Sequence, residues 1–314
     1  SVGLFNGSFV YKDGRNRIML NSQKQSLTTG WHSPILQPTS SANSNKIAFY
    51  SGHLYQWNIH SYDTNSAQGK QLTFNIAANR FPVKTADNFY YSSDFTGITQ
   101  IYRLSDDGKG KPIQLINFKK NRRATHISVS PNGKMLAISY ISRTDCYRLT
   151  GDSLKLVKQF EDLIYPSFSL DSKKVMLFKT DDKPEQTSIE FNLNSWQRTG
   201  ITIPQSQFAI YHRRGIIFTK TGNKGIYLFN NGTTTTINDS ITLYTPADIS
   251  AADDFLYAVD KSDNRVKKIA ISGEDIDDLP IKNVGQLYHY KGIIYYTLEQ
   301  MGKTSIYVGD IVER

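Results

Sequence analysis

Six histidines, at positions 32, 53, 60, 126, 212 and 289, are the residues best suited to chemistry in this chain of 314 residues. Imidazoles hold metals and move protons near neutral pH. No His-Glu-x-x-His run joins any two of them, and the chain has no Gly-x-Ser-x-Gly elbow, no phosphate-cradling glycine loop and no EF-hand loop. The spacing therefore supplies neither an activated nucleophile nor a motif-bound metal. Cys146 is the single cysteine, which excludes an internal disulfide and a multi-cysteine zinc site. With no basic partner beside it in sequence, it reads as an inert buried thiol.

Charge supplies a second kind of site. Lys119-Lys120-Asn121-Arg122-Arg123 is the densest basic run in a chain of net charge +9. Placed on one rim beside Arg80 and His32, it would offer cations to an acidic protein or a polyanionic ligand. It lacks the interleaved aromatics on which bases stack, so nucleic acid is not an expected partner. Trp31, next to His32, is placed to line a ligand or peptide groove, whereas Trp57 and Trp196 read as packing between structural units. The acidic stretch 274–278 reads as a solvated outer connection. No run of about 18 apolar residues occurs, so no membrane-spanning helix is expected. The opening Ser-Val-Gly-Leu-Phe-Asn resembles neither a signal peptide nor a natural initiation, and predicts a processed or truncated start. Any membrane contact is expected only through an anchor ahead of it.

The elements that must position these groups are legible in residues 126–140. Ile127 and Val129 run into Ser130-Pro131-Asn132-Gly133-Lys134 and then into Met135-Leu136-Ala137-Ile138-Ser139-Tyr140. That is strand, tight turn, strand, because Gly and Asn accept the left-handed region and Pro presets φ. The second apolar run recurs at 46–50, 89–93, 175–179, 215–219, 255–259 and 292–297, a period of about 40 residues, the length of one four-stranded propeller blade. A third strand follows each copy, at 55–60, 100–104, 145–149, 187–193, 225–229, 265–271 and 304–308. More polar fourth strands such as 69–73 and 111–116 come after it. No helical period intervenes, which excludes parallel βαβ units. The expected fold is all-β: one β-propeller over residues 1–314, built of four-stranded antiparallel blades. Seven blades are expected and eight allowed. The C-terminal copy, 283–314, supplies three strands, and one of the N-terminal strands at 8–12, 16–21 or 25–29 is expected to supply the fourth.

The turn and strand at 128–140, the stretches 167–178 and 34–50, and the Gly69-Lys70-Gln71-Leu72-Thr73 fourth strand resemble the TolB-like, WD40-like propeller repeat. Only 128–140 keeps the family's turn nearly intact, with Asn132 in place of Asp. Leu170-Asp171-Ser172-Lys173 and residues 39–45 have lost its Pro-Asp-Gly. The resemblance implies a bacterial, periplasmic, non-catalytic module for protein interaction or ligand sensing. It also admits the sensor portion of a CadC-like or ToxR-like membrane-bound winged-helix regulator, tethered to the inner membrane. Oligogalacturonate lyases share the repeat and hold a metal with histidines at the channel mouth, so a metal-dependent polysaccharide lyase is the alternative. Alignment puts His32 and His126 near that mouth and His212 and His289 near the opposite end, too few at one place for the metal. No cofactor is expected. The expected site is one rim of the channel, where connections leading into the innermost strands converge on a protein partner or small ligand. Its candidates are His32, Arg80, Arg122, Arg123, His126 and Tyr165.

Overall fold

A computed structural model describes residues 55–301 except 76, 87, 106–109, 120–121, 181–185, 221, 223 and 274, with side chains within 56–298. It also describes the strands Val2–Phe5, Ser8–Lys12, Ile18–Leu20, Gln25–Ser26, Ile35–Ser40, Lys46–Ser51 and Ser305–Asp310. Six four-stranded antiparallel sheets form the blades of a propeller, and their inner strands neighbour one another in a closed ring. Blade 1 begins with inner strand Arg80–Lys84, blade 2 with His126–Val129 and blade 3 with Leu163–Phe168. Blade 4 begins with Ser206–His212, blade 5 with Ile249–Ala251 and blade 6 with Val284–Tyr290.

The expectation of seven or eight blades is therefore corrected to six. Six of the seven apolar copies form inner hairpins of the ring; the first, at 46–50, does not, and the copies at the chain ends share one blade. Blade 6 takes its first two strands, Val284–Tyr290 and Ile293–Met301, from the C-terminal copy. Its third and fourth, Tyr55–Asp63 and Gln68–Gln71, come from the N-terminal copy. Ile293 to Met301 pair without a break against Asp63 to Tyr55, a register that buries Ile59, Ile294 and Thr297 completely. The strands left over, Ile35–Ser40, Lys46–Ser51 and Ser305–Asp310, make a three-stranded sheet of their own. The strands expected to close the ring, from Ser8–Lys12 to Gln25–Ser26, instead pair with Val2–Phe5 in a separate four-stranded sheet.

Each seam between blades is filled by its own apolar cluster, because an inner hairpin buried on both faces must be apolar on both. Leu136 and Ile138 meet Ile101 and Val83 between blades 1 and 2, and Val175 and Leu177 meet Cys146 and Phe160 between blades 2 and 3. Met176 packs on Phe218, Ile217 on Leu256, Val259 on Ile294, and Ile59 on Tyr91 around the remaining seams. Burying each such side chain contributes about 1.5–3 kcal/mol. Inner strands are also tied to the preceding blade by polar bonds. Phe81 N–H donates to Gln286 Oε1 at 2.8 Å, Tyr165 N–H to Ser139 Oγ at 2.8 Å and His289 N–H to Ser250 Oγ at 2.9 Å. Phe81 and Tyr165 sit at register shifts with φ of 54° and 57°, the bulges that turn these two amides toward the neighbouring blade.

The turns show why the repeat needs few fixed residues. In blade 2, Asn132 Oδ1 accepts Lys134 N–H at 3.0 Å, Ser130 Oγ accepts Met135 N–H at 2.9 Å, and Gly133 takes φ 68°. In blade 3, Asp171 Oδ1 accepts Lys173 N–H at 3.0 Å, Ser169 Oγ accepts Lys174 N–H at 2.9 Å, and Ser172 takes φ 58°. The second turn keeps the geometry without Pro-Asp-Gly.

Candidate functional site

Two cavities follow the propeller axis. One, of about 190 Å³, is lined by inner-strand residues that include Val83, His126, Ile127, Ser167 and Leu287, and by Ala247 of the 3-10 turn Pro246–Asp248. The other is a funnel of about 970 Å³ at the mouth where each inner strand turns into the second. Val129, Leu170, Tyr211, Ala251, Tyr288 and His289 line both, so the funnel leads into the inner cavity.

Every blade contributes to the funnel through its first turn: Thr85, Pro131, Leu170, Arg213, Asp253 with Asp254, and Lys291 with Gly292. Four cations, Lys84, Arg213, Lys268 and Lys291, face two carboxylates there. Lys84 is 3% exposed; its ammonium donates to the carbonyls of Thr85 and Ala86 and stands 5.3 Å from the Tyr290 ring centroid. Lys291 approaches the same ring at 5.5 Å, and Lys268 lies 3.9 Å over Phe255. Ammonium groups over aromatic faces are attracted by the ring quadrupole; Lys291 is exposed and Lys268 half-buried, whereas Lys84 is held below the surface. Arg213 and Arg214 both bond Asp254 Oδ1, Arg213 also reaches Asp253 at 3.8 Å, and the Arg213 guanidinium holds the exposed Asp254 carboxyl below its usual range.

The two histidines expected at this end are both here, in structural roles. His212 Nε2 lies 2.9 Å from the Ala252 carbonyl and its Nδ1 accepts Arg214 N–H at 3.1 Å, so both ring nitrogens are engaged. His289 stacks on Tyr257 at 4.7 Å, its Nε2 accepts Gly292 N–H, and burial pushes its pKa down to about 4. It is neutral at pH 7. Tyr288 donates from its hydroxyl to Lys84 O at 3.2 Å, and burial raises its pKa.

The candidates nominated for the other mouth separate. His32, with Trp31, lies outside the described residues. Arg80 stacks over Trp57 at 5.1 Å. Arg122 reaches the fully buried Asp145 at 3.7 Å, a carboxylate also held by Arg143 at 3.0 Å and Gln159 at 3.0 Å, and its guanidinium lies over Phe118. Arg123 is exposed. His126 and Tyr165 are the two that meet, edge to face with centroids 6.2 Å apart, and Phe81 also meets the imidazole edge to face, at 6.3 Å. His126 bonds the backbone of Pro166, and burial lowers its pKa to about 4. Tyr165 lies within the inner strand rather than ahead of it.

The packing readings hold where they can be seen. Cys146 is fully buried, and desolvation pushes its pKa up to about 12. Trp196 packs on Phe160 of the preceding blade. No helix among the described residues is long and apolar enough to cross a membrane. The funnel cations and Tyr290 were not singled out from sequence, although Arg213-Arg214 and Lys291-Gly292 occupy equivalent first turns and carried the signal.

No family model and no curated protein matches this chain. Among solved structures it is similar to a putative TolB from Agrobacterium tumefaciens, with a TM-score of 0.60 at 16% identity over 78% of this chain and 99% of that one. TolB from Acinetobacter baumannii gives 0.53 at 12% identity over 95% and 79% of the two chains. A chain in a nidogen/laminin complex gives 0.53 at 10% identity over 77% and 98%. Identities this low carry the fold alone: a six-bladed β-propeller similar in fold to the TolB propellers.

Proposed function

We propose that this propeller is a non-catalytic recognition module of the bacterial periplasm and that its partner docks in the funnel at the first-turn mouth. The observation that carries the reading is the funnel itself: a 970 Å³ concavity to which all six blades contribute, with cations on aromatic faces around its wall. Ligand sites are concave, largely preformed and marked by a few polar groups held on rigid elements. The periplasmic setting is supported by the likeness to TolB propellers and by the repeat. Service as the sensing portion of a larger, membrane-tethered regulator extends the same reading and rests on the resemblance of the repeat.

The test places a photo-crosslinking residue at Leu170, 58% exposed at the funnel, and in parallel at Ile276, 43% exposed on the outer strand of blade 5. In cells, a discrete crosslinked species is expected from position 170 and not from 276. Crosslinks from 276 with none from 170 would overturn the reading.

A further inference from the structure

The funnel mouth is chemically two-sided. On the arc of blades 5 and 6 stand Lys268 over Phe255 and Lys291 beside Tyr290, and neither ammonium is ion-paired among the described residues. The guanidiniums of Arg213 and Arg214, by contrast, are already answered by Asp253 and Asp254. Across the mouth, blades 2 and 3 present Pro131 and Leu170, the latter a leucine 58% exposed. A concavity with uncompensated positive charge on a low-dielectric wall draws anions, and Leu170 and Pro131 give the opposite side of the same concavity apolar surface against which an apolar side chain of a ligand can be buried.

Resting on the funnel as the recognition site, we propose that its occupant is an extended acidic peptide segment carrying a bulky apolar side chain. Its carboxylates lie toward Lys268 and Lys291, and its apolar side chain lies against Leu170 and Pro131. An acidic polysaccharide satisfies the first arc and leaves the second unmatched, whereas an apolar peptide does the reverse. Only a chain that alternates the two chemistries meets both arcs at once.

Fluorescence anisotropy tests this with a labelled synthetic peptide, Asp-Glu-Phe-Glu-Asp, beside Asp-Glu-Ser-Glu-Asp, Lys-Arg-Phe-Lys-Arg and polygalacturonate. The first peptide is expected to bind best, with affinity falling as ionic strength rises because the attraction is screened. The double variant Lys268→Glu, Lys291→Glu should weaken it about tenfold or more, Leu170→Ser about fivefold, and the distant Lys220→Glu not at all. Circular-dichroism melts would confirm that each variant is folded. Equal or tighter binding of polygalacturonate or of the serine peptide overturns the ligand class and leaves the funnel standing. So does failure of every probe while the crosslinker at position 170 still captures a partner. Failure of the probes and of the crosslink together removes both.

Discussion

Arg122 and His126 show at the scale of single residues what a sequence conceals. Arg122 belongs to the densest basic run and reads as a rim cation, yet the buried carboxylate that receives it, Asp145, lies one strand hairpin away along the chain. A pairing that forms only when blade 2 folds leaves no local signature. His126 reads as a mouth residue for the same reason, whereas its ring is buried in edge contact with Phe81 and Tyr165. Its burial has a measurable consequence. The folded imidazole titrates near 4 and the unfolded one near 6.5, so the unfolded chain takes up the proton first as pH falls. Stability is thus fully present above about 6.5 and is lost on the way down to 4, by up to about 1.4 kcal/mol per pH unit for one group. His289, lowered by burial in the same way, adds a slope of the same sign. Urea midpoints at pH 7, 6 and 5 should therefore fall in the parent and fall less steeply in His126→Phe; parallel profiles would refute the assignment.

At the scale of the element, the hairpin was the most legible part of the chain, and its chemistry proved broader than its motif. Blade 2 carries Ser-Pro-Asn-Gly-Lys and blade 3 only Ser-Leu-Asp-Ser-Lys, yet both turns use a serine hydroxyl and an Asn or Asp oxygen to accept the same two amides. What the turn requires is an acceptor at one position and a residue tolerant of positive φ at the next. Matching by letters misses that equivalence; matching by hydrogen-bond role does not. A Cβ at Gly133 would meet nothing within 4 Å, so Gly133→Ala isolates the cost of the φ of 68°. That cost should be about 1 kcal/mol, read as a lowered denaturation midpoint with an unchanged m-value. Gly133→Asn should recover part of it, since Asn visits the left-handed region more readily. An alanine variant as stable as the parent would show that the turn is held by something other than its backbone. The funnel was less legible than the turns because its cations come from several separate hairpins, and each is unremarkable in its own copy.

The whole molecule turns on which strands pair, and repeat counting does not reach that. The chain contains seven copies of the apolar run, but the copy at 46–50 pairs outside the ring and the last blade is shared between the chain's ends, so six blades close the ring. The closing seam is strong in physical terms. Its nine-pair ladder joins Tyr55–Asp63 to Ile293–Met301, Ile59 packs into the cluster with Tyr91, Tyr102 and Tyr295, and Thr73 Oγ1 accepts Ile59 N–H at 2.9 Å. Everything the ring needs on the N-terminal side thus begins at residue 55. A chain shortened to begin there should retain a cooperative thermal transition and bind the same probe at the funnel, because the ladder, its core and the six first turns are all kept. A chain shortened to begin after Thr73 loses two strands of blade 6 and bares the Ile293–Met301 edge together with the Tyr91 and Tyr295 faces, a template for aggregation. It should melt broadly and elute as aggregate in size-exclusion chromatography. If instead the chain starting at residue 55 fails to fold, the six-bladed ring needs support from the separate sheet of Ile35–Ser40, Lys46–Ser51 and Ser305–Asp310, and the ladder alone does not hold it closed.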